Sequence, residues 1–425
     1  MLQNRFIAWW TWSLAVLFLF YEFFIRVFPS IMVSELMGAF SVNAGSLGTL
    51  SAFFFYAYAP MQIPVGILMD YFGARRLLTF ASLVCGLGCL LFGMSSQLIS
   101  AELGRFLMGI GSAFAFVGMV YICSHWFPNK KLALLVGVGN SIGMLGAVGA
   151  EGPLSFLTKG FVWRMVVNAL GVVGILLAII LFVFIRGEPI QKKPNKKKAS
   201  FDLFKNLKIV CSNYRTWLNA FIALLFYMTT AAFASLWGIP FLITSYGFSK
   251  ELAGFIVSMI FVGWIVGGPL IGVISDRWSQ RKPFLYASTL LTCAALLPVI
   301  YISHLPIWLL FCLLFLVGFF QSGQLLNFSL SIELNPIEAK GTSIAITNCV
   351  VALGTSIMQP LLGLLLDLSW GGELKAGVPV YTLENYRIAM VSFPLTLLLS
   401  FLLLFFLKEK KNGTHENSKC CIGMD

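Results

Sequence analysis

Gly66-Ile67-Leu68-Met69-Asp70-Tyr71-Phe72-Gly73-Ala74-Arg75-Arg76 is a short charged turn between two long apolar runs. Gly272-Val273-Ile274-Ser275-Asp276-Arg277-Trp278-Ser279-Gln280-Arg281-Lys282 repeats its layout at an offset of 206 residues. Gly66 matches Gly272, Asp70 matches Asp276 and Arg75 matches Arg281 at that one spacing. A second element also recurs: Phe127-Pro128 precedes Lys130-Lys131, and Asn335-Pro336 precedes Lys340. The chain is therefore two related halves. Gly66 is expected to let helices approach closely, and Gly73 to permit a tight turn. Asp70 falls at a helix end, within reach of Arg75, Arg76 or a neighbouring helix N-terminus. With Asp276, Arg277, Arg281 and Lys282, these residues form an expected gating loop, held in one conformation and released in another. The plainer alternative is a basic turn with no gating role; the constant offset favours gating.

The runs on either side of that turn set the class. Of 425 residues, 59% are hydrophobic, 15% aromatic and 11% charged. Soluble domains carry about 45–50% apolar and about 25% charged residues. That excess excludes a disordered chain, a disulfide-rich secreted scaffold and an ordinary cytosolic enzyme. Walking the chain gives twelve runs long enough to span a bilayer, at roughly 7–36, 43–69, 76–95, 98–125, 132–156, 162–186, 216–244, 250–275, 283–303, 305–333, 340–367 and 386–407. The expected fold is an all-α membrane protein of two six-helix bundles, 1–186 and 216–407. A basic linker, 187–215, joins them, and a tail, 408–425, follows. The early apolar run carries Glu22 and Arg26 where a signal peptide would show small residues, so it reads as a retained first span.

The net charge of +12 is a matter of topology, not a footprint for nucleic acid. Both termini and the linker can be put on one side. That side then holds 22 of the 29 Lys and Arg, against five on the other and two, Arg26 and Arg105, inside spans. The basic side is expected to be cytoplasmic. The nine Cys are scattered and there are three His, with no metal-site spacing. A nucleophile–His pair, a paired-Asp site and a nucleotide loop are also missing from the sequence. No cofactor is implied, and the proton gradient is the expected energy source for a non-enzymatic protein.

Glu22, Arg26, Glu102, Arg105 and Glu151 lie where charge is expensive, at roughly 2.5–3.5 kcal/mol for a span centre. Glu22 and Arg26 are four apart and share a helix face. They are either a self-neutralising pair or a binding site: Arg26 offers a planar fork for a carboxylate or phosphate, and Glu22 can meet an ammonium group or carry a proton. Glu102 and Arg105 are three apart on span four. Arg105 can be structural, bonding the first helix or a carbonyl at a helix break, and Glu102 beside it is a candidate proton carrier. Glu151, beside Gly152-Pro153, is expected to reach water at its span end. Gln321, Gln324 and Asn327 place amides on one side of span ten, for interhelical bonds or for a solute. Tyr21 and Tyr227 are weaker candidates. Gly137, Gly139, Gly143, Gly146 and Gly149 suit span five to close packing.

The 66–76 loop and its copy at 272–282 resemble the signature loop of the major facilitator superfamily, with Tyr71 and Ser279 departing from its usual residues. Gly104-Arg105-Phe106-Leu107-Met108-Gly109-Ile110-Gly111 resembles that family's fourth helix, which implies a role for Arg105 in proton or substrate coupling. The resemblance implies alternating access, with spans one, four, seven and ten around a central cavity. Arg26 ahead of Pro29 is similar to the anion-binding position of organophosphate and organic-anion carriers. Span seven lacks their second basic residue, which argues against a phosphate ester. Tyr21-Glu22-Phe23-Phe24-Ile25-Arg26 resembles phagosomal amino-acid and nucleoside carriers of intracellular bacteria. Together these imply a monomer in lipid, in a bacterial inner membrane. It would work by proton-coupled uptake of an amino acid, short peptide or organic acid. Proton antiport of a drug or metabolite and a receptor without transport are the alternatives.

Overall fold

The computed structural model describes residues 2–185, 196–278, 280–375 and 377–408. Among the described residues, eleven helical runs are long and apolar enough to cross a membrane. A twelfth is the pair Ala44–Met61 and Val65–Phe72, bent by 63°. The expected twelve spans are present. The sequence from 409 on, part of the linker and Ser279 lie outside the described residues. One face of span six (Trp163–Phe184) exposes Val172, Val173, Leu176, Ile179 and Val183. Such a face suits hydrocarbon, because a continuous helix satisfies its own backbone groups.

Four spans depart from the regular α-helix, two of them at a proline. Span one runs Leu2–Val27, tightens into a 3-10 turn at Phe28–Met32 around Pro29, and resumes at Val33–Phe40. Span five breaks at Gly152-Pro153, between Asn129–Glu151 and Pro153–Gly160. Span seven is α-helical over Tyr214–Met228, widens to a π-helix at Thr229–Trp237 and closes as Gly238–Tyr246. Span ten runs Ile307–Gln321, then a 3-10 turn at Ser322–Gln324, then Leu325–Glu333. Such departures leave backbone carbonyls to be satisfied from outside the helix.

Small residues set how closely the helices approach. Spans three (Ala74–Met94) and four (Leu98–Trp126) cross at Gly88 and Gly104, where a Cβ on either would stand under 3 Å from the other's carbonyl oxygen. Span five lies on span one through Gly139, Gly143, Gly146 and Gly149, whereas Gly137 meets nothing. Gly66 and Gly272 likewise face open space, so the close-approach role expected of Gly66 is not what it does. Gly73 does make the turn, with φ at +78°.

Candidate substrate site and gates

Arg26 lies at the last turn before the Pro29 break, 13% exposed, and Glu22 is 1% exposed. Arg26 Nε and Nη2 donate to Glu22 Oε1 at 2.9 and 2.6 Å. The pair therefore leaves Nη1 and the second carboxylate oxygen outside it. Phe23 and Tyr58 put ring faces 4.7 and 5.0 Å from the guanidinium. Tyr227 approaches from the second half, near enough for its hydroxyl to interact with the charge. Its ring rests edge-on against Trp264 at 5.7 Å. Arg26 and Tyr227, one from each half, thus meet at the interface. Tyr58 and Trp264 had no distinguishing signal in a chain with 12 Tyr and 11 Trp.

Arg105 is fully buried and serves the break itself. Pro29 has no N–H to give the Ile25 carbonyl four residues back. Arg105 Nη1 donates to that carbonyl at 2.8 Å, and Nη2 to those of Arg26 and Ser51 at 3.2 and 3.4 Å. The second half solves the same problem with an amide. Gln321 Nε2 donates to the Phe226 carbonyl at 2.6 Å, where span seven begins to widen, and its Oε1 accepts from Thr230 at 2.5 Å. Trp264 Nε1 donates to the same Thr230 hydroxyl at 2.9 Å. In each half, a polar side chain on the fourth helix holds a carbonyl at the break in the first.

The remaining candidates separate. Glu102 is half-buried, and Arg105 turns its donors to the carbonyls of spans one and two. Tyr21 points away from Arg26, its hydroxyl bonded to the Leu170 carbonyl at 2.9 Å, which puts it in the packing of the first half. Asn327 Nδ2 donates to the Gln324 carbonyl at 3.1 Å. Gln324 Nε2 and Asn327 Oδ1 are buried with no partner among the described residues. Glu151 does not reach water: it is fully buried, correcting the expectation from its place at a span end.

At the linker end Arg75, Arg281 and Lys282 each make bonds within their own half. Arg75 donates to the Phe182 carbonyl at 2.8 Å, with its charge over the Phe182 ring, while Asp70, Arg76 and Arg277 are exposed. In the copy, Arg281 bonds Asp276 at 2.5 Å and Glu333 of span ten at 3.2 Å. Lys282 reaches the Phe405 carbonyl at 3.5 Å.

The opposite, far end is closed by contacts between halves. Asp367, ending span eleven (Lys340–Ser369), accepts from the Ala44 and Gly45 amides at 3.1 and 2.8 Å. Those amides open the helix of span two, so the carboxylate caps a helix of the other half. The Tyr381 hydroxyl adds a bond to Asp367 at 2.5 Å. Burial and its bond to Asp367 push the Tyr381 hydroxyl above the usual phenol range, so it stays a donor at physiological pH. Lys250 of span eight (Lys250–Trp278) pairs with Glu35, and Gly254 lies against the Glu151 carbonyl. Sequence reasoning missed this gate: read singly, Asp367 is an acid at a span end, and the amides it caps lie more than 300 residues away. Asp367→Asn removes the charge and turns an amide toward one of the donors. Capping losses run about 1 kcal/mol, so the closed-to-open ratio at this end should fall about fivefold. Distances between spin labels at Phe161 and Ser249 report it; an unchanged distribution would refute the latch.

Twelve spans in two halves, broken first helices and a charged pair at the interface are the architecture of a membrane transporter. A sequence model described as the Major Facilitator Superfamily matches residues 13–249 and again 220–419. The chain belongs to that family. A probable galactarate/D-glucarate transporter of Escherichia coli (strain K12) is 27% identical over 303 residues, 65% of this chain and 67% of that one. A probable hexose phosphate transport protein of Chlamydia pneumoniae is 23% identical over 394 residues, 85% of each chain. The solved inward-facing, unoccupied structure of a bacterial homolog of the human lysosomal transporter Spinster superposes with a TM-score of 0.75 at 18% identity. It covers 94% of this chain and 97% of that one.

Proposed function

We propose that the protein takes up a small carboxylate-bearing solute, such as an organic acid, amino acid or short peptide, and drives that uptake with protons. The observation that carries the proposal is Arg26: a nearly buried guanidinium at the meeting of the two halves, with Nη1 outside its pair with Glu22. A carboxylate presented there gains charge-assisted hydrogen bonds on a planar fork. Tyr227 of the second half adds a hydroxyl, so the bound solute bridges the halves that must rock. The Escherichia coli relative named for galactarate and D-glucarate supports the organic-acid branch. Span seven places no Lys or Arg opposite Arg26, which favours a carboxylate over a phosphate ester. By the distribution of Lys and Arg, the linker end is cytoplasmic and the far end faces outward, in a bacterial inner membrane.

The test is a thermal-shift panel of aldarates, simple organic acids, amino acids, dipeptides and a sugar phosphate on purified protein. Uptake in proteoliposomes follows for whatever stabilises it, since a ligand bound to the folded state raises Tm by mass action. Stabilisation by the sugar phosphate alone would overturn the carboxylate assignment. Glu22 is the group best placed to exchange a proton with the site, because solute and proton then compete for the same arginine. Glu22→Gln is expected to keep solute exchange and lose accumulation driven by an imposed proton gradient. Persistent gradient-driven accumulation in that variant would move the role elsewhere.

A further inference from the structure

Glu151 takes no part in the site above, yet it is fully buried and neither carboxylate oxygen has a hydrogen-bond donor among the described residues. It ends the first helix of span five, where Gly152-Pro153 breaks the chain. The other half supplies the cover. Gly254 of span eight lies directly against the Glu151 carbonyl, and the Phe255 ring would stand 3.0 Å from a Cβ on Gly152. Phe156 closes edge-on against Phe255 at 5.7 Å. The peptide at Glu151 therefore stands in the seam where spans five and eight meet across the shut far end, and parting that seam is the movement that would open its carboxyl to far-side water. On its own half it faces Ser30, in the 3-10 turn of span one, whose hydroxyl is also buried without a partner.

An ionised carboxylate sealed in this way has no counter-charge, and the single Ser30 hydroxyl beside it is a poor substitute for the water it has lost, a deficit of several kcal/mol. A protonated one removes the charge and lets its O–H bond the Ser30 hydroxyl, satisfying both groups. The neighbouring charges are committed elsewhere. On span one, Glu22 and Arg26 pair with each other; on span four, Arg105 is held by three carbonyls and Glu102 is half-buried. On span eight, Lys250 pairs with Glu35 of the helix Val33–Phe40, and Glu251 is buried and engaged.

We propose that Glu151 is a proton-binding latch of the far gate: it takes a proton from the far-side water as the halves close over it and returns it as they part. Closing at this end then consumes one proton, and low pH on that side favours the closed state. The latch gives up its proton to the side from which it came, so it sets the conformational balance without driving accumulation. It needs only alternating access, and stands or falls apart from the role given to Arg26.

The experiment is double electron–electron resonance between spin labels at Phe161 and Ser249, on a background without reactive cysteines, in lipid and without solute. With equal pH on both sides, the wild-type closed-to-open ratio is expected to rise by up to about tenfold per pH unit on acidification, the limit for one proton. Glu151→Gln should be mostly closed and independent of pH. Glu151→Leu, which needs no polar partner, should do the same and guards against misfolding of the amide variant. Glu102→Gln, at a half-buried acid away from the site, should keep the wild-type pH response. A wild-type ratio that ignores pH, a response that survives both Glu151 variants, or one that vanishes in Glu102→Gln would each overturn the latch.

Discussion

Arg26→Ala is expected to cut uptake of the carboxylate solute by about 100-fold or more, the equivalent of one lost charge-assisted, two-point contact. The loss should fall on binding as well as on rate, because the guanidinium meets the solute in every conformation that holds it. The variant also strands Glu22, which is 1% exposed and pairs with Arg26. Leaving one member of a buried pair alone costs about 3–5 kcal/mol, so a fall in Tm accompanies the fall in transport. Two further variants separate those effects. Arg26→Lys keeps the positive charge beside Glu22 but offers a point charge in place of a fork; it should fold and still bind poorly. The double variant Glu22→Gln with Arg26→Gln removes both charges, should restore stability and should bind no carboxylate. Ligand-induced thermal shift and proteoliposome uptake measure both quantities. Wild-type uptake by Arg26→Lys would sink the two-point contact, and wild-type uptake by the double variant would sink the site.

Sequence carried the fold because two of its signals are long and redundant. Apolar runs of about 20 residues are hard to mistake, and the 206-residue repeat reports the two halves twice over. The site was legible only where a residue was anomalous. Arg26, Glu22 and Arg105 stood out as charges inside spans, and the structure puts all three around one helix break. Partners without anomaly stayed hidden: Tyr58 and Trp264 are two aromatics among many. Glu151 misled, because a span-end position says nothing about a second helix laid over it. Its peptide lies against Gly254 of the other half, a contact far along the chain that the sequence does not announce. Asp367 was invisible for the same reason. Its meaning comes from the Ala44 and Gly45 amides, more than 300 residues away in sequence. Gates of this kind are made of pairs, and one chain read from end to end shows the members singly.

Arg105→Met is expected to damage the protein more than any other single change in the first half, and through stability before transport. The Arg105 side chain supplies the hydrogen bond that Pro29 denies to the Ile25 carbonyl, and adds those to Arg26 and Ser51. Each buried polar group left unsatisfied costs about 1–3 kcal/mol, and water cannot replace the donor at a fully buried position. Two of the three carbonyls belong to the last turn before the break, the turn that aims Arg26. Their loss frees the break to shift, so solute affinity falls although Arg105 touches no solute. Were Arg105 instead a coupling group, its removal would leave Tm unchanged and abolish only proton-driven accumulation. The two roles therefore give opposite orders of failure. Arg105→Lys sharpens the contrast: one ammonium cannot span carbonyls on two helices, so it should recover only part of the lost stability. Thermal unfolding of wild type, Arg105→Lys and Arg105→Met, beside solute exchange and gradient-driven uptake, decides it. A structural arginine predicts Tm falling in that order with exchange and accumulation declining together. Full Tm with intact exchange and no accumulation would hand Arg105 to the proton pathway.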